Sequence, residues 1–152
     1  MSTKALNRKA YERLLIETAL ACGYDLRLEE RSYAGRTTTR IVHPVELHPG
    51  ATDSEPEILT ARLIGRSHEL SIALDGIDAI SLAIEHQPAG AVCCGDFTVG
   101  DAVAHPELGV GVIRSFETNG DGEAQASVLL ELHGPRRVGD PATNLTPANV
   151  SP

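Results

Sequence analysis

The residue types best suited to chemistry are concentrated in one Val-rich stretch, FTVGDAVAHPELGVGVIRSF, at positions 97–116. It combines a Gly-Asp pair, a His-Pro pair and a Gly-x-Gly, which would suit a phosphate loop, a metal or catalytic site, or the turns of a small β-barrel. A phosphate loop needs a strand, a glycine-rich turn and then a helix whose N-terminus faces the anion. Gly109-x-Gly111 is followed by another β-type run, and no Gly-Lys-Ser/Thr occurs. A nucleotide site is therefore not predicted.

The histidines and cysteines do not have the spacing of metal ligands. No two of the six histidines form His-x-x-x-His, and Cys93-Cys94 is an adjacent pair rather than a Cys-x-x-Cys. No nucleophile elbow is present either. We therefore predict no catalytic residue, no cofactor and no metal, and we expect a protein that is not an enzyme. A redox or thiol-dependent role of Cys93-Cys94 is the disfavoured alternative. The histidines concerned are His43, His48, His68, His86, His105 and His133.

The charge of the chain argues against strong direct binding to nucleic acid. Lys and Arg number 13 against 21 Asp and Glu, for a net charge of −8. Non-specific binding depends on basic side chains that neutralise phosphates and release counterions. A local basic patch is the exception to consider, although a solvated strand face explains the same residues. The candidates are Arg27, Arg31, Arg36, Arg40 and Arg62.

The compartment is predicted from the cysteines and from hydropathy. Three cysteines without framework spacing suggest a reducing environment. The N-terminal MSTKALNRKA lacks an apolar signal core, and no window approaches 18 consecutive apolar residues. We expect a cytoplasmic protein that does not enter the membrane.

Hydrophobic periodicity predicts one helix followed by two groups of strands. Residues 4–22 repeat apolar side chains at helical spacing, with Leu6 in the first turn and Gly23 at the C-cap. Five strand-like runs follow between residues 24 and 85; the last, DAISLAIE, is a short strand or a helical turn. Pro44 restricts its strand to an edge or a bend.

The second group of strands begins after HQPAGAVCCGD at 86–96, which is typical of a linker or crossover. Strands are predicted from 97, 109, 124 and 135, with the hairpin signal TNGDGE at 118–123. The final PATNLTPANV is a short strand or a loose tail. The predicted organisation is a domain at 1–88, a linker at 89–95 and a domain at 96–152, each domain mainly β.

The second half resembles the Tudor-like, SH3-type barrel at the C-terminus of UvrD/PcrA-type helicases. It is also similar to the RNA-polymerase-interacting module of CarD-type transcription factors and of the transcription-repair coupling factor. The likeness covers residues 96–147 and implies a barrel. In that barrel, the nine motif residues listed next shape turns and fill the interior, rather than perform chemistry. The motif positions are Gly100, Asp101, Val103, His105, Pro106, Gly109, Gly111, Val112 and Ile113.

The first half, residues 1–85, resembles a degenerate WYL domain, another SH3-like barrel of bacterial regulators. Arg40, Pro44 and Leu47 match one of its motifs, and Leu74, Asp75 and Ile77 match another. The family's Trp-Tyr-Leu is replaced by residues 57–59, Glu-Ile-Leu. Its two pocket arginines are replaced by Leu70 and Gly76, so its ligand pocket is not implied. Together the resemblances predict two small SH3-like β-barrels in tandem, preceded by one α-helix.

These resemblances imply a non-enzymatic interaction module of bacterial transcription or DNA repair. Its expected partner is the β subunit of RNA polymerase or a helicase, held by strand addition at an exposed edge, with side-chain pockets that supply specificity. The alternative is a WYL-type regulator that binds a small ligand or nucleic acid through the arginines named above. The residues predicted to contact the protein partner are Phe97, Glu107, Leu108, Val110, Arg114 and Phe116.

Overall fold

The computed structural model describes residues 5–31, 34–50, 57–84, 93–94, 96–118 and 120–151, without the side chains of Ala5, Arg31, Cys93, Cys94 and Ser151. The protein is mainly β with one main helix near the N-terminus, as predicted, and its strands form two five-stranded sheets and two short strand pairs. It divides into two compact units: a terminal unit, Met1–Thr18 with Ala89–Pro152, and a central unit, Ala19–Pro88. The predicted domain 1–88 included residues 1–18, which here belong to the terminal unit.

The N-terminal helix is shorter than predicted. Helix α1 spans Arg8–Cys22, and Ala5–Asn7 form strand β1 instead. Asn7 ends the strand and caps the helix, because its side-chain oxygen accepts a 2.8 Å hydrogen bond from the Lys9 N–H. The predicted C-cap is confirmed: Gly23 has φ +78° and its N–H donates to the Ala19 carbonyl at 2.9 Å. No described helix is long and apolar enough to cross a membrane.

The central unit is a four-stranded antiparallel meander to which a fifth strand is added. A one-turn 3₁₀ helix, Leu74–Gly76, follows the meander, and the last strand then returns to pair antiparallel with the first. The sheet order is β5-β4-β3-β2-β6. Its strands are β2 (Asp25–Arg31), β3 (Thr37–His48), β4 (Ile58–Leu63), β5 (Glu69–Ala73) and β6 (Ala79–Ala83).

Pro44 lies at a bend, one of the two positions that its sequence context allowed. Strand β3 pairs with both β2 and β4, and its register against β4 shifts between Pro44 and Glu46. This β-bulge leaves Val45 as the extra residue, 39% exposed. Inward positions alternate along the strands and form the core of the unit, as period-two patterning requires. The buried strand residues include Leu26, Leu28, Val42, Leu59, Ala61, Ile72, Ile80 and Leu82.

The terminal unit contains the second five-stranded sheet and two short strand pairs. The sheet order is β12-β11-β10-β9-β13, and the TNGDGE segment joins β10 to β11 as the predicted antiparallel hairpin. Strand β7, inside the predicted linker, pairs with β8, and β1 pairs parallel with β14. The elements are β7 (Cys93–Cys94), β8 (Phe97–Thr98), β9 (Ala102–His105), β10 (Gly109–Thr118), β11 (Ala124–Leu130), β12 (Gly134–Gly139), α2 (Pro141–Asn144), β13 (Thr146–Pro147) and β14 (Asn149–Ser151).

The core of the terminal unit is made of small aliphatic side chains and one phenylalanine. Strand β11 is buried on both faces, because five consecutive residues, 126–130, are all buried. Leu108 and Phe116 pack against the core from its margin. The cluster comprises Phe97, Val103, Ile113, Ala126, Val128, Leu130, Val138 and Leu145.

Both sheets have the same connectivity. In each, four antiparallel strands follow one another, a single helical turn comes next, and a fifth strand returns to pair with the first. In each, the second strand is the longest and carries a β-bulge against the third, between Pro44 and Glu46 or between Ile113 and Ser115. Such bulges let one strand bend from one neighbour to the next.

Candidate functional site

The Gly-Asp pair of the motif forms the turn that leads into β9. Gly100 has φ +96°, which favours glycine, and the Asp101 N–H donates to the Thr98 carbonyl at 3.0 Å. The Asp101 carboxylate accepts a 2.9 Å hydrogen bond from the Thr98 N–H and so closes the turn from the side chain. The predicted role of Gly100-Asp101 in turning the chain is confirmed.

The His-Pro pair of the motif shapes the turn between β9 and β10. The Nδ1 atom of His105 accepts hydrogen bonds from the N–H groups of Glu107 at 3.1 Å and Leu108 at 3.2 Å. Two backbone donors in the turn are thereby satisfied by one side chain. Gly109 ends the turn with φ +93°. His105 therefore supports a turn.

Gly111 is required because two strands approach each other closely. A Cβ atom built at this position would overlap the carbonyl oxygen of Leu129 and lie 2.8 Å from the Cα of Leu130. Just beyond it, the bulge places Arg114 where its Nε donates a 3.0 Å hydrogen bond to the Ser127 hydroxyl. Of the two motif glycines, Gly109 has the positive φ and Gly111 allows the close backbone approach.

The six residues predicted to contact a partner differ in exposure. Phe97 is 8% exposed and belongs to the core. Leu108 and Phe116 are half-buried against that core. Glu107 is exposed, whereas Val110 and Arg114 are half-buried. Partner contact stays a prediction for these residues, and Phe97 has little surface to offer.

An exposed leucine next to these residues was missed by the sequence reasoning. Leu132, in the β11–β12 turn, is 81% exposed. Its neighbour Glu131 donates its N–H to the Val110 carbonyl at 2.9 Å, which joins this turn to the start of β10. The β9–β10 turn lies at the same end of the sheet. We call this surface the turn-end patch; it comprises Glu107, Leu108, Val110, Glu131 and Leu132.

A signal for Leu132 was available in the sequence. In the run VLLELHG, the apolar Leu132 follows Leu130, the last residue of β11, and strand β12 begins at Gly134. In the β11–β12 turn, this apolar run leaves Leu132 exposed. Isolated exposed leucines are common, so only the combination of Leu132 with Val110 and Leu108 indicates a contact surface.

A second surface of the terminal unit is a groove of about 630 Å³ beside edge strand β13, which we call the edge groove. At its wall, the Tyr11 hydroxyl donates a 2.8 Å hydrogen bond to the Gly100 carbonyl. Burial, and next the nearby Asp101 carboxylate, raise the pKa of Tyr11 above its ordinary value. The groove is lined by Tyr11, Asp96, Phe97, Asp101, Ala102, Ala142, Leu145, Thr146, Pro147, Ala148 and Val150.

The raised pKa of Tyr11 predicts a loss of stability in alkaline solution. The protonated Tyr11 hydroxyl contributes to the free energy of unfolding, and this contribution is fully present below about pH 10, the pKa of tyrosine in the unfolded chain. It is lost as the pH rises through the higher pKa of Tyr11 in the folded protein. Tyr11→Phe should show a shallower loss, and should cost about 1 kcal/mol at neutral pH through its missing hydrogen bond. Urea unfolding across this pH range measures both effects. An unchanged pH slope in the variant would contradict the assignment; Tyr24, whose pKa burial also raises, contributes equally to both proteins.

The arginines of the predicted anion patch do not share one surface. Strand register places Arg27 and Arg62 on one face of the central sheet, together with Asp25 and Glu69. Arg40 lies on the opposite face, in register with Leu28. Arg36 is exposed in the β2–β3 connection, and the side chain of Arg31 lies outside the described residues.

Arg40 borders a cavity of about 390 Å³ in the central unit. Its guanidinium forms an ion pair with Glu30, while its Nε is buried without a hydrogen-bond partner among the described residues. Glu30 offsets the positive charge that an anionic ligand would need. The remaining lining residues are Leu70, Ser71, Ile72, Ala73, Gly76 and Ile77.

Elsewhere, His43 Nδ1 lies 2.9 Å from the Asp25 carboxylate on the outer face of the central sheet. Within the part of the chain that the structure describes, no three His, Cys, Asp or Glu side chains gather as metal ligands. Three features thus offer binding surfaces: the turn-end patch, the edge groove and the cavity beside Arg40.

Compared with known proteins, this chain matches no family model, no curated protein and no solved structure.

Proposed function

We propose that this protein is a cytoplasmic, non-enzymatic interaction module of bacterial transcription or DNA repair, built from two SH3-like barrels in tandem. Its terminal unit, which resembles a Tudor-like domain over residues 96–147, docks on RNA polymerase through the β subunit or on a helicase. The turn-end patch makes the contact.

The SH3-like architecture is supported by connectivity and by motif chemistry. Both units contain a meander of four strands, then a single helical turn, and then a fifth strand that returns to pair with the first. The long bent second strand of each unit suits the curvature of a small barrel. In the terminal unit, the resembling motif consists of turn and packing residues: Gly100, Asp101, His105, Gly109 and Gly111.

The observation that carries the docking proposal is the turn-end patch, in which Leu132 is 81% exposed. An exposed apolar side chain that shares this end of the sheet with two exposed carboxylates, Glu107 and Glu131, suits a partner that presents an apolar pocket and basic residues. Strand addition is less favoured, because both edge strands of the terminal sheet contain a proline, Pro135 in β12 and Pro147 in β13. Contact through side chains is the mode that remains.

A binding measurement with purified bacterial RNA polymerase and a UvrD-type helicase tests this function. We expect the immobilised protein to bind one of them and Leu132→Ser to weaken binding by at least about tenfold, the effect of losing a hot-spot side chain. Ile64→Ser is the matched control, because Ile64 is a 49% exposed aliphatic residue of the central unit. Binding to neither partner, or equal weakening by the control, would refute the proposal.

A regulator of the WYL type is the second candidate function, favoured by the buried and unpartnered Nε of Arg40 beside a cavity. The ion pair of Arg40 with Glu30, and the carboxylates of Asp25 and Glu69 on the same sheet face as Arg27 and Arg62, make it the weaker candidate. Gel shifts at low salt and thermal shifts with small anions distinguish it from docking, which requires neither ligand.

A further inference from the structure

We propose that the edge groove of the terminal unit binds the cationic side chain of a lysine or arginine in an extended protein segment. This goes beyond the docking function, because the edge groove shares no residue with the turn-end patch. It adds a second, charge-selective contact to the same unit.

The shape of the edge groove fits an aliphatic chain with a polar end. Its volume of about 630 Å³ lies within the range of about 300–1,000 Å³ found for ligand sites in proteins. Ala142, Pro147 and Val150 supply exposed apolar surface in the groove, and Val150 is 39% exposed. The methylene stem of lysine or arginine packs against such a surface while its charged end reaches a polar group.

The polar groups of the edge groove select a cation. Asp96 and Asp101 both line it, and none of its lining residues is basic. An anionic ligand would be repelled, and a neutral one would leave the carboxylates uncompensated. A positively charged group is the partner that this lining favours.

Hydrogen bonding leaves the edge groove rich in acceptors and poor in donors. One oxygen of Asp101 already accepts from the Thr98 N–H, and the Tyr11 hydroxyl already donates its proton to the Gly100 carbonyl. The second oxygen of Asp101 and a lone pair of the Tyr11 oxygen therefore remain as acceptors. The raised pKa of Tyr11 keeps its hydroxyl protonated, in the donating state described here. Ammonium and guanidinium groups carry only donors and match this arrangement.

The backbone at the edge groove favours side-chain recognition over an added strand. Ala148 donates its N–H to the Ala102 carbonyl at 2.9 Å, on the side of β13 that faces β9. Because N–H groups alternate along a strand, the nitrogen of Pro147 lies on the outer side, where it has no hydrogen to donate. An extended segment therefore contacts the groove through its side chains.

A titration with two matched peptides tests the inference. The probe is an acetylated Gly-Leu-Arg-Val-Gly amide, and the control replaces arginine with citrulline, its neutral isostere. With the ¹⁵N-labelled full chain, we expect the arginine peptide to shift the amide signals of Thr98, Gly100, Asp101 and Ala148. The citrulline peptide should bind at least about tenfold more weakly.

Variants of the two carboxylates complete the test. Asp101→Asn keeps an oxygen for the Thr98 N–H and should weaken the arginine peptide by at least about tenfold. Asp96→Asn, at an exposed position, should also weaken binding of the arginine peptide and leave folding unchanged. Asp121→Asn, in the β10–β11 hairpin, should not change binding. Leu132→Ser should leave peptide binding intact. A failure of the edge groove to bind the peptide is therefore distinguishable from a failure of the turn-end patch to dock on polymerase or helicase. Equal binding of the citrulline peptide, equal weakening by Asp121→Asn, or spermidine matching the peptide in shifts and affinity would overturn the inference.

Discussion

Gly111→Ala is expected to lower the free energy of unfolding by about 3 kcal/mol, since an added methyl group has no space between two backbones. The new Cβ would overlap the Leu129 carbonyl oxygen and press on the Leu130 Cα. Neither is the flexible end of a side chain, so the β10–β11 ladder itself must shift. Chemical denaturation monitored by circular dichroism measures the loss.

Gly139→Ala is the matched control for this prediction. Gly139 also lies in a strand of the terminal sheet, has no positive φ, and a Cβ built there meets no atom within 4 Å. We expect a change within about 0.5 kcal/mol in either direction. Equal stability of the two variants would show that β10 and β11 do not approach as closely as described.

Leu6→Ala is expected to destabilise the protein by about 3 kcal/mol through a lost core side chain. Leu6 is 0% exposed, pairs with Val150 in the parallel β1–β14 ladder, and lies in a strand that contacts β10. A helix beginning at residue 4 would instead place Leu6 in a first helical turn. Thermal and urea unfolding of the full chain measure the cost.

Leu132→Ala provides the same chemical change at a site where 81% of the residue is exposed. Its stability should match the wild type, because an exposed side chain already contacts water in the native state. A neutral Leu6→Ala would contradict the assignment of β1 to the core of the terminal unit. A large loss in both variants would contradict the burial difference on which the pair is based.

The β1–β14 ladder also explains why one boundary was not predictable. Residues 1–18 belong with residues 89–152, although 70 residues of the central unit separate them in the chain. Hydrophobic patterns in a short stretch of sequence cannot predict a contact between segments so far apart in the chain. Three residues such as Ala5–Asn7 can continue a helical period or form a strand, and only a partner strand decides between them.

The same limit applies to the candidate sites. Period-two alternation predicted that Arg27 and Arg40 lie on strands. It could not predict which carboxylates lie beside them on the same sheet face, because that depends on the register between strands. Phe97 was predicted to contact a partner, but it lies in one core cluster with Ile113 and Val128, which are on other strands of the terminal unit.

The sequence by itself determined the local features of this protein: the mainly β composition, the helix C-cap at Gly23, the hairpin after residue 118 and the turn roles of Gly100, Asp101 and Gly109. Each depends on backbone angles or hydrogen bonds within a few residues, which residue type controls directly. Tertiary structure alone decided which strands pair, where Leu132 is exposed and which carboxylates line the edge groove. Those features come from contacts between distant segments, whose free energy is gained only when the whole core assembles.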